Sequence, residues 1–214
     1  MPPNLKFLKK IFLVVLLIST CQYYAQVDTS HLKLQLAVGI NKPSVKGFVL
    51  PFESRPINVS TFNLGVQHMF KTKLGFKLDY GYSRISNSSN SPEFKVNYTR
   101  VNGQLVADFT PLINPIAPQI GLYAHLGPGY TFIKPLREFG ENKTAFVNGI
   151  IGLELHYGTS DAMSVFIDTS YIFSGAKDFN PVTDGRGAFN GDMLTVTFGV
   201  SLSLSGCYFC SRNE

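Results

Sequence analysis

The chain has 214 residues, and its 19 Lys and Arg against 14 Asp and Glu give a net charge of +5. Lys6, Lys9 and Lys10 all lie in the first 25 residues with no acidic neighbour, so the rest carries 16 − 14, or +2, too little for the basic face of a nucleic-acid binder. Charged residues make up only 15%, yet nothing after the N-terminus approaches 18 consecutive apolar residues, so low charge and 19 glycines point to strands, not a membrane helix.

In chain order, Lys6, Lys9 and Lys10 form a basic start, Ile11 to Ile18 is an unbroken apolar run, and a polar stretch ends at Ala25. That order is a secretory signal peptide with cleavage expected after Ala25. Its apolar core is far shorter than the roughly 20 residues of a spanning helix. Ser19-Thr20-Cys21 only loosely fits a lipidation site, so Cys21 is expected to leave with the signal. The domain reading is 1–25 signal peptide, 26–206 barrel, and 207–214 a short periplasmic tail.

Eight segments then alternate apolar and polar residues with period two. His31 to Ile40 sets Leu32, Leu34, Leu36, Val38 and Ile40 against Lys33, Gln35 and Ala37. Thr61 to Phe70 follows, with His68 interrupting the apolar side, and Leu74 to Tyr82 sets Leu74, Phe76, Leu78, Tyr80 and Tyr82 against Lys77 and Asp79. In Phe94 to Phe109 the apolar phase changes, from Phe94, Val96 and Tyr98 to Val101, Leu105 and Phe109, which predicts a bulge near Arg100. Gln119 to Phe132 and Ala145 to Tyr157 put His125, Glu154 and His156 on the polar face. Met163 to Phe173 adds Asp168 to that face, and Met193 to Leu204 is the eighth segment.

A soluble sandwich or a lipocalin-like barrel also alternates, but its strands usually run about 5 or 6 residues, whereas a tilted membrane strand needs about 9 to 11. The connections also alternate in length. Lys71 to Lys73, Thr110 to Pro118 and Gly158 to Ala162 are mostly shorter than Asn41 to Ser60, Ser83 to Glu93, Ile133 to Thr144 and Ser174 to Asp192. Short turns on one rim, long loops on the other, and aromatics near strand ends are the pattern of an all-β, eight-stranded antiparallel up-and-down transmembrane barrel. The nine-residue Thr110 to Pro118 connection is long for a periplasmic turn.

The run Gly121-Leu-Tyr-Ala-His-Leu-Gly-Pro-Gly-Tyr-Thr-Phe132, followed by Gly149-Ile-Ile-Gly-Leu-Glu-Leu-His-Tyr157, resembles the Gly-rich, aromatic-ended strand pairs of small OmpA/OmpX-like outer-membrane barrels of Bacteroidota style. The signal ending Tyr23-Tyr24-Ala25-Gln26 has the same look. The resemblance implies a cell-envelope barrel in the outer membrane and speaks to fold more than to function. The chain departs from that family in its Gly206-Cys-Tyr-Phe-Cys210 ending, and in leaving no room after the eighth segment for a peptidoglycan-binding domain.

An eight-stranded barrel has an interior just wide enough for side chains to fill, which excludes a wide porin channel. The predicted inward charges are Lys33, Lys77, Asp79, Asp108, His125, Glu154, His156 and Asp168, and buried ions need partners. They read first as an ion-pair network that plugs the lumen, and second as a narrow conduit or hydrophobic-solute path. A lipid A-modifying enzyme is the third reading. Glu154 and His156 share a face near Ser164 and Ser170, but no nucleophile motif accompanies them, so no catalytic residues are assigned. No cofactor or metal site is expected: Cys207 and Cys210 lack a second ligand pair and read as a local disulfide, free thiols or an interchain bridge. The acidic residues between Asp178 and Asp192 lack calcium-loop spacing. The apolar patch Phe48, Val49, Leu50 and Phe52 either docks a partner or folds over the barrel mouth. Expected partners are outer-membrane lipids and other envelope proteins met through the loops, not nucleic acid.

Overall fold

The computed structural model describes residues 32–70, 73–117, 119–160, 162–180 and 185–204. The signal segment, Cys21, Asp184, Cys207 and Cys210 lie outside the described residues. Eight antiparallel strands run β1 Leu32–Pro43, β2 Asn58–Met69, β3 Leu74–Ser86, β4 Lys95–Asp108, β5 Ile120–Pro135, β6 Thr144–Gly158, β7 Met163–Ser174 and β8 Met193–Ser203. Each pairs with its sequence neighbours, and β8 pairs back onto β1 from Lys33↔Ser203 to Pro43↔Met193, closing the barrel.

Alternation along these strands is inverted relative to a water-soluble protein. On β3, Lys77 is 3% exposed while its neighbour Leu78 is 53% exposed. The same contrast runs round the barrel, with Leu105, Leu126, Leu153, Ile167 and Phe198 outward and Gln104, His125, Glu154, Asp168 and Thr197 inward. A continuous apolar belt of this extent needs hydrocarbon as its solvent, and closure leaves no strand edge to satisfy there. With 11 to 16 residues, the strands are long enough to cross at a tilt.

The described residues of connections 70–73, 109–119 and 159–162 lie at one rim, and those of 44–57, 87–94, 136–143 and 175–192 at the other. The long turn on the first rim folds compactly. Thr110–Ile113 makes one helical turn, Asp108 accepts the Thr110 N–H at 2.8 Å, and Thr110 Oγ1 accepts the Leu122 N–H at 3.1 Å.

No bulge occurs at Arg100, which corrects the sequence expectation. The β3–β4 register is unbroken from Leu74↔Ala107 to Ser86↔Lys95, and Val96, Tyr98, Arg100, Asn102, Gln104 and Val106 all face inward. The apolar residues change sides because the barrel interior changes character along its axis. Near the long-loop rim the interior is apolar, so Val96 and Tyr98 point in; lower down it is polar, and the apolar residues Val101 and Leu105 face out. The actual irregularity lies between β1 and β2, where the register slips between Gly39 and Ile40 and Ser60 is the extra residue at φ 122°.

The apolar upper interior is a cap built by the loops. All four long connections contribute an aromatic: Phe48 and Phe52, Phe94, Phe139, and Phe189. Phe48 lies 4.8 Å from Phe189 and 5.5 Å from Phe94, and Phe52 lies 5.1 Å from Phe139, ring centre to ring centre. These rings rest on Ile85, Val96, Tyr98, Ile133 and Ile172 from the strands. Gly47 and Gly191 let two loop backbones touch, since a Cβ on Gly47 would stand 2.5 Å from the Gly191 nitrogen.

Candidate functional site

Below the cap the lumen is filled by polar side chains. Lys77 of β3 reaches across to Glu154 of β6, pairing with Oε1, and its Nζ lies 3.8 Å from Asp168 Oδ2 on β7. Glu154 Oε2 accepts from Gln35 Nε2 at 3.0 Å and from His156 Nε2 at 2.8 Å. A carboxylate only accepts, so His156 donates from Nε2, and its Nδ1 shares a hydrogen bond with the Ser164 hydroxyl at 3.0 Å. His125 Nε2 stands 3.5 Å from Asp168 Oδ2. A second centre joins Arg100 of β4 to Asp79 of β3, with Arg100 also donating to Asn102 at 3.0 Å and Asn63 at 3.3 Å.

Of the eight inward charges read from sequence, Lys77, His125, Glu154, His156 and Asp168 come together, and Asp79 pairs beside them. Lys33 sits lower, donating to Tyr123 Oη at 3.3 Å with its ammonium 4.9 Å above that ring. Asp108 is half-buried at the short-turn rim and caps Thr110 instead. Arg100 joins the inward charges because β4 runs unbroken through it, where a bulge would have left its facing open. The amides Gln35, Asn63, Asn102 and Asn148 stand on the inward period of their strands and join the network, although without charge nothing in the sequence singles them out.

Charge counting decides what this arrangement can hold. Leaving the histidines aside, Lys33, Lys77 and Arg100 balance Asp79, Glu154 and Asp168. Ligand atoms of His125, Glu154 and Asp168 lie within 4.8 Å of one another, a spacing a metal ion accepts. The Lys77 ammonium already takes the cationic place between the two carboxylates, so a dication would be uncompensated. Ser164, His156 and Glu154 form a hydrogen-bonded chain of nucleophile, base and acid types. Ser164 is 0% exposed, Phe166 stacks on the imidazole at 4.9 Å, and Tyr123 meets its edge at 5.0 Å, so the three are packed among aromatic rings. A cavity of about 10 Å³ beside Gln35, Asn63, Lys77 and Asp168 has room for about one water.

At the long-loop rim, Phe48 and Phe52 turn into the mouth, Val49 is buried beside Gly185 of the last long connection, and Leu50 alone of that patch stays exposed, at 84%. Asp192 is engaged within the chain, accepting the Ser174 N–H at 2.8 Å and the Tyr171 hydroxyl at 3.0 Å.

No protein-family model and no curated protein matches the sequence. Solved structures do. The barrel is similar to Neisserial surface protein A from Neisseria, with a TM-score of 0.56 at 10% identity over 81% of this chain and 96% of that one. The N-terminal barrel of Pseudomonas aeruginosa OprF follows, with a TM-score of 0.48 at 9% identity over 79% of this chain and 96% of that one. Yersinia pestis Ail, crystallised with the heparin analogue sucrose octasulfate, gives 0.44 at 18% identity over 80% of this chain and 96% of that one. At 10% identity the first likeness speaks to fold, and fold and apolar belt together make this chain an eight-stranded β-barrel of the outer membrane.

Proposed function

We propose that this chain is a non-conducting, non-enzymatic outer-membrane barrel with a structural or interaction role, plugged by its own side chains and meeting other envelope proteins through its outer loops. The observation that carries this reading is the stacking of two independent seals. A charge-balanced network spans the lumen from β3 to β6 and β7, and an aromatic cap from all four long connections covers it. Either alone blocks a hydrated path, and the narrow-conduit reading needs a gap in both. Above the cap, Leu50 and Val45, at 84% and 74% exposed, offer apolar contact points on the face turned away from the cell.

Solute release from proteoliposomes tests the reading. Vesicles carrying the folded barrel are expected to retain a trapped amino-acid-sized solute as protein-free vesicles do. Release that scales with protein content would sink it.

A further inference from the structure

We propose a binding site for the phosphate of an outer-leaflet lipid on the outer wall of β3–β6. It requires only that the barrel sits in the membrane, so it stands or falls separately from the sealed lumen.

Arg84, Lys95, Lys134 and Lys143 project from four consecutive strands or their ends at the long-loop rim. Register puts three of the strands in line: Arg84 stands opposite Asn97, and Asn97 opposite Lys134. Pairing of Ile133 with Thr144 makes Lys143 the next neighbour of Lys134 across β6. The guanidinium of Arg84 is held outward, donating to Tyr82 Oη at 2.9 Å and to Asn97 Oδ1 at 3.1 Å, which fixes it without neutralising it. Glu93, the carboxylate beside this edge, pairs with Arg137. Among the described residues no ion pair engages the four cations.

The layer in which they stand selects the ligand. Two residues lower on the same outward face runs the row Tyr82, Thr99, Phe132, Ala145, and below it Tyr80, Val101, Tyr130, Val147. Tyrosine and phenylalanine at strand ends mark the boundary between hydrocarbon and head groups. At about 3.3 Å per residue Arg84, Lys134 and Lys143 stand roughly 7 Å beyond it and Lys95, two residues further up β4, about 13 Å, in the head-group layer and facing the bilayer, not the water over the mouth. A soluble polyanion would be met by charges on the loop tips instead.

The wall beneath suits an acyl chain. Phe132 and Tyr130 form a ridge on β5, and Ala145, Val147 and Gly149 form a trough beside it on β6, where a Cβ on Gly149 would touch nothing within 4 Å. A cleft of about 660 Å³ opens there, with Tyr130, Ala145 and Val147 on its wall and Lys143 and Lys177 above. Its two acids, Glu141 and Asp178, stand in the same connections as Lys143 and Lys177, so the cationic excess at this edge comes from Arg84, Lys95 and Lys134 beside the cleft.

The test is native mass spectrometry of the detergent-solubilised barrel titrated with bisphosphorylated lipid A. Wild type is expected to retain the lipid. Lys134→Gln/Lys143→Gln and Arg84→Gln/Lys95→Gln, each verified as folded by its heat-modifiable band, are expected to bind it about tenfold more weakly. Lys42→Gln, on the far side of the barrel, is expected to bind as wild type does. Equal retention by the paired variants, or equal retention of the dephosphorylated lipid, would overturn the site. Binding of inositol hexakisphosphate as tight as that of lipid A, lost in the same variants, would assign the cations to a soluble polyanion and overturn the lipid.

Discussion

Lys77 and Glu154 sit on opposite walls of the barrel, three strands apart, and each is the other's principal counter-charge. Neither is tolerable alone in the lumen, because removing one partner leaves an uncompensated buried ion at a cost of about 3–5 kcal/mol. Lys77→Met is therefore expected to lower the unfolding free energy of the lipid-reconstituted barrel by that amount. Adding Glu154→Gln should restore part of it, with a coupling of about 1–3 kcal/mol in urea titrations. Additive losses would mean that the two residues do not act as a pair.

The phase of β4 is open to direct measurement. Single cysteines at Val101 and Leu105 are expected to react with a bilayer-restricted maleimide or to be quenched by a lipid-borne probe. Cysteines at Val96, Tyr98, Asn102 and Gln104 are expected to be silent. Lipid-reactive cysteines at Val96 and Tyr98, with Asn102 and Gln104 still silent, would restore the bulge. Arg100→Met should destabilise the barrel by about 3–5 kcal/mol, and Asp79→Asn in the same chain should recover much of that loss.

How far all this can be read in the sequence depends on the height in the barrel. In β3 the alternation Leu74, Phe76, Leu78, Tyr80 sorts lipid from lumen without ambiguity, because the lumen at that level is polar. At Phe94 and along the start of β4, at Val96 and Tyr98, the same rule misleads, since the loops bring apolar surface inside and an inward residue there need not be polar. Period two places Lys33, Lys77 and Glu154 on one face, but which charges meet depends on shear around the closed barrel, and no single strand carries that. The Phe48 to Phe52 patch signals something unusual in a loop. Its partners Phe94, Phe139 and Phe189 are 40 to 140 residues away and have no local pattern linking them.

The cap is expected to be separable from the plug. Phe94→Ala/Phe189→Ala removes two fully buried rings, at about 3–5 kcal/mol each, and should expose the four outer loops to added protease in intact cells. The strands should remain resistant and the lumen closed, because the ion-pair network lies below. Protease resistance equal to wild type would show that these rings do not hold the loops.

Two glycines of β6 make a paired control. A Cβ on Gly152 would fall 2.5 Å from His125 Nε2 and 2.6 Å from Ser170 Oγ, so Gly152→Ala must push His125 off Asp168 and should cost about 1–3 kcal/mol. Gly149→Ala faces open space on the outer wall and should be close to neutral. Equal effects on the urea midpoint would contradict the inward and outward assignment of the strand.

Electrical recording in planar bilayers tests the sealed lumen most directly. The folded wild-type barrel is expected to insert without steady single-channel currents at moderate voltage in molar salt, and Phe94→Ala/Phe189→Ala should insert equally silently. Reproducible unitary currents from wild type, altered by Lys77→Met, would show that ions pass through the network and would contradict the account.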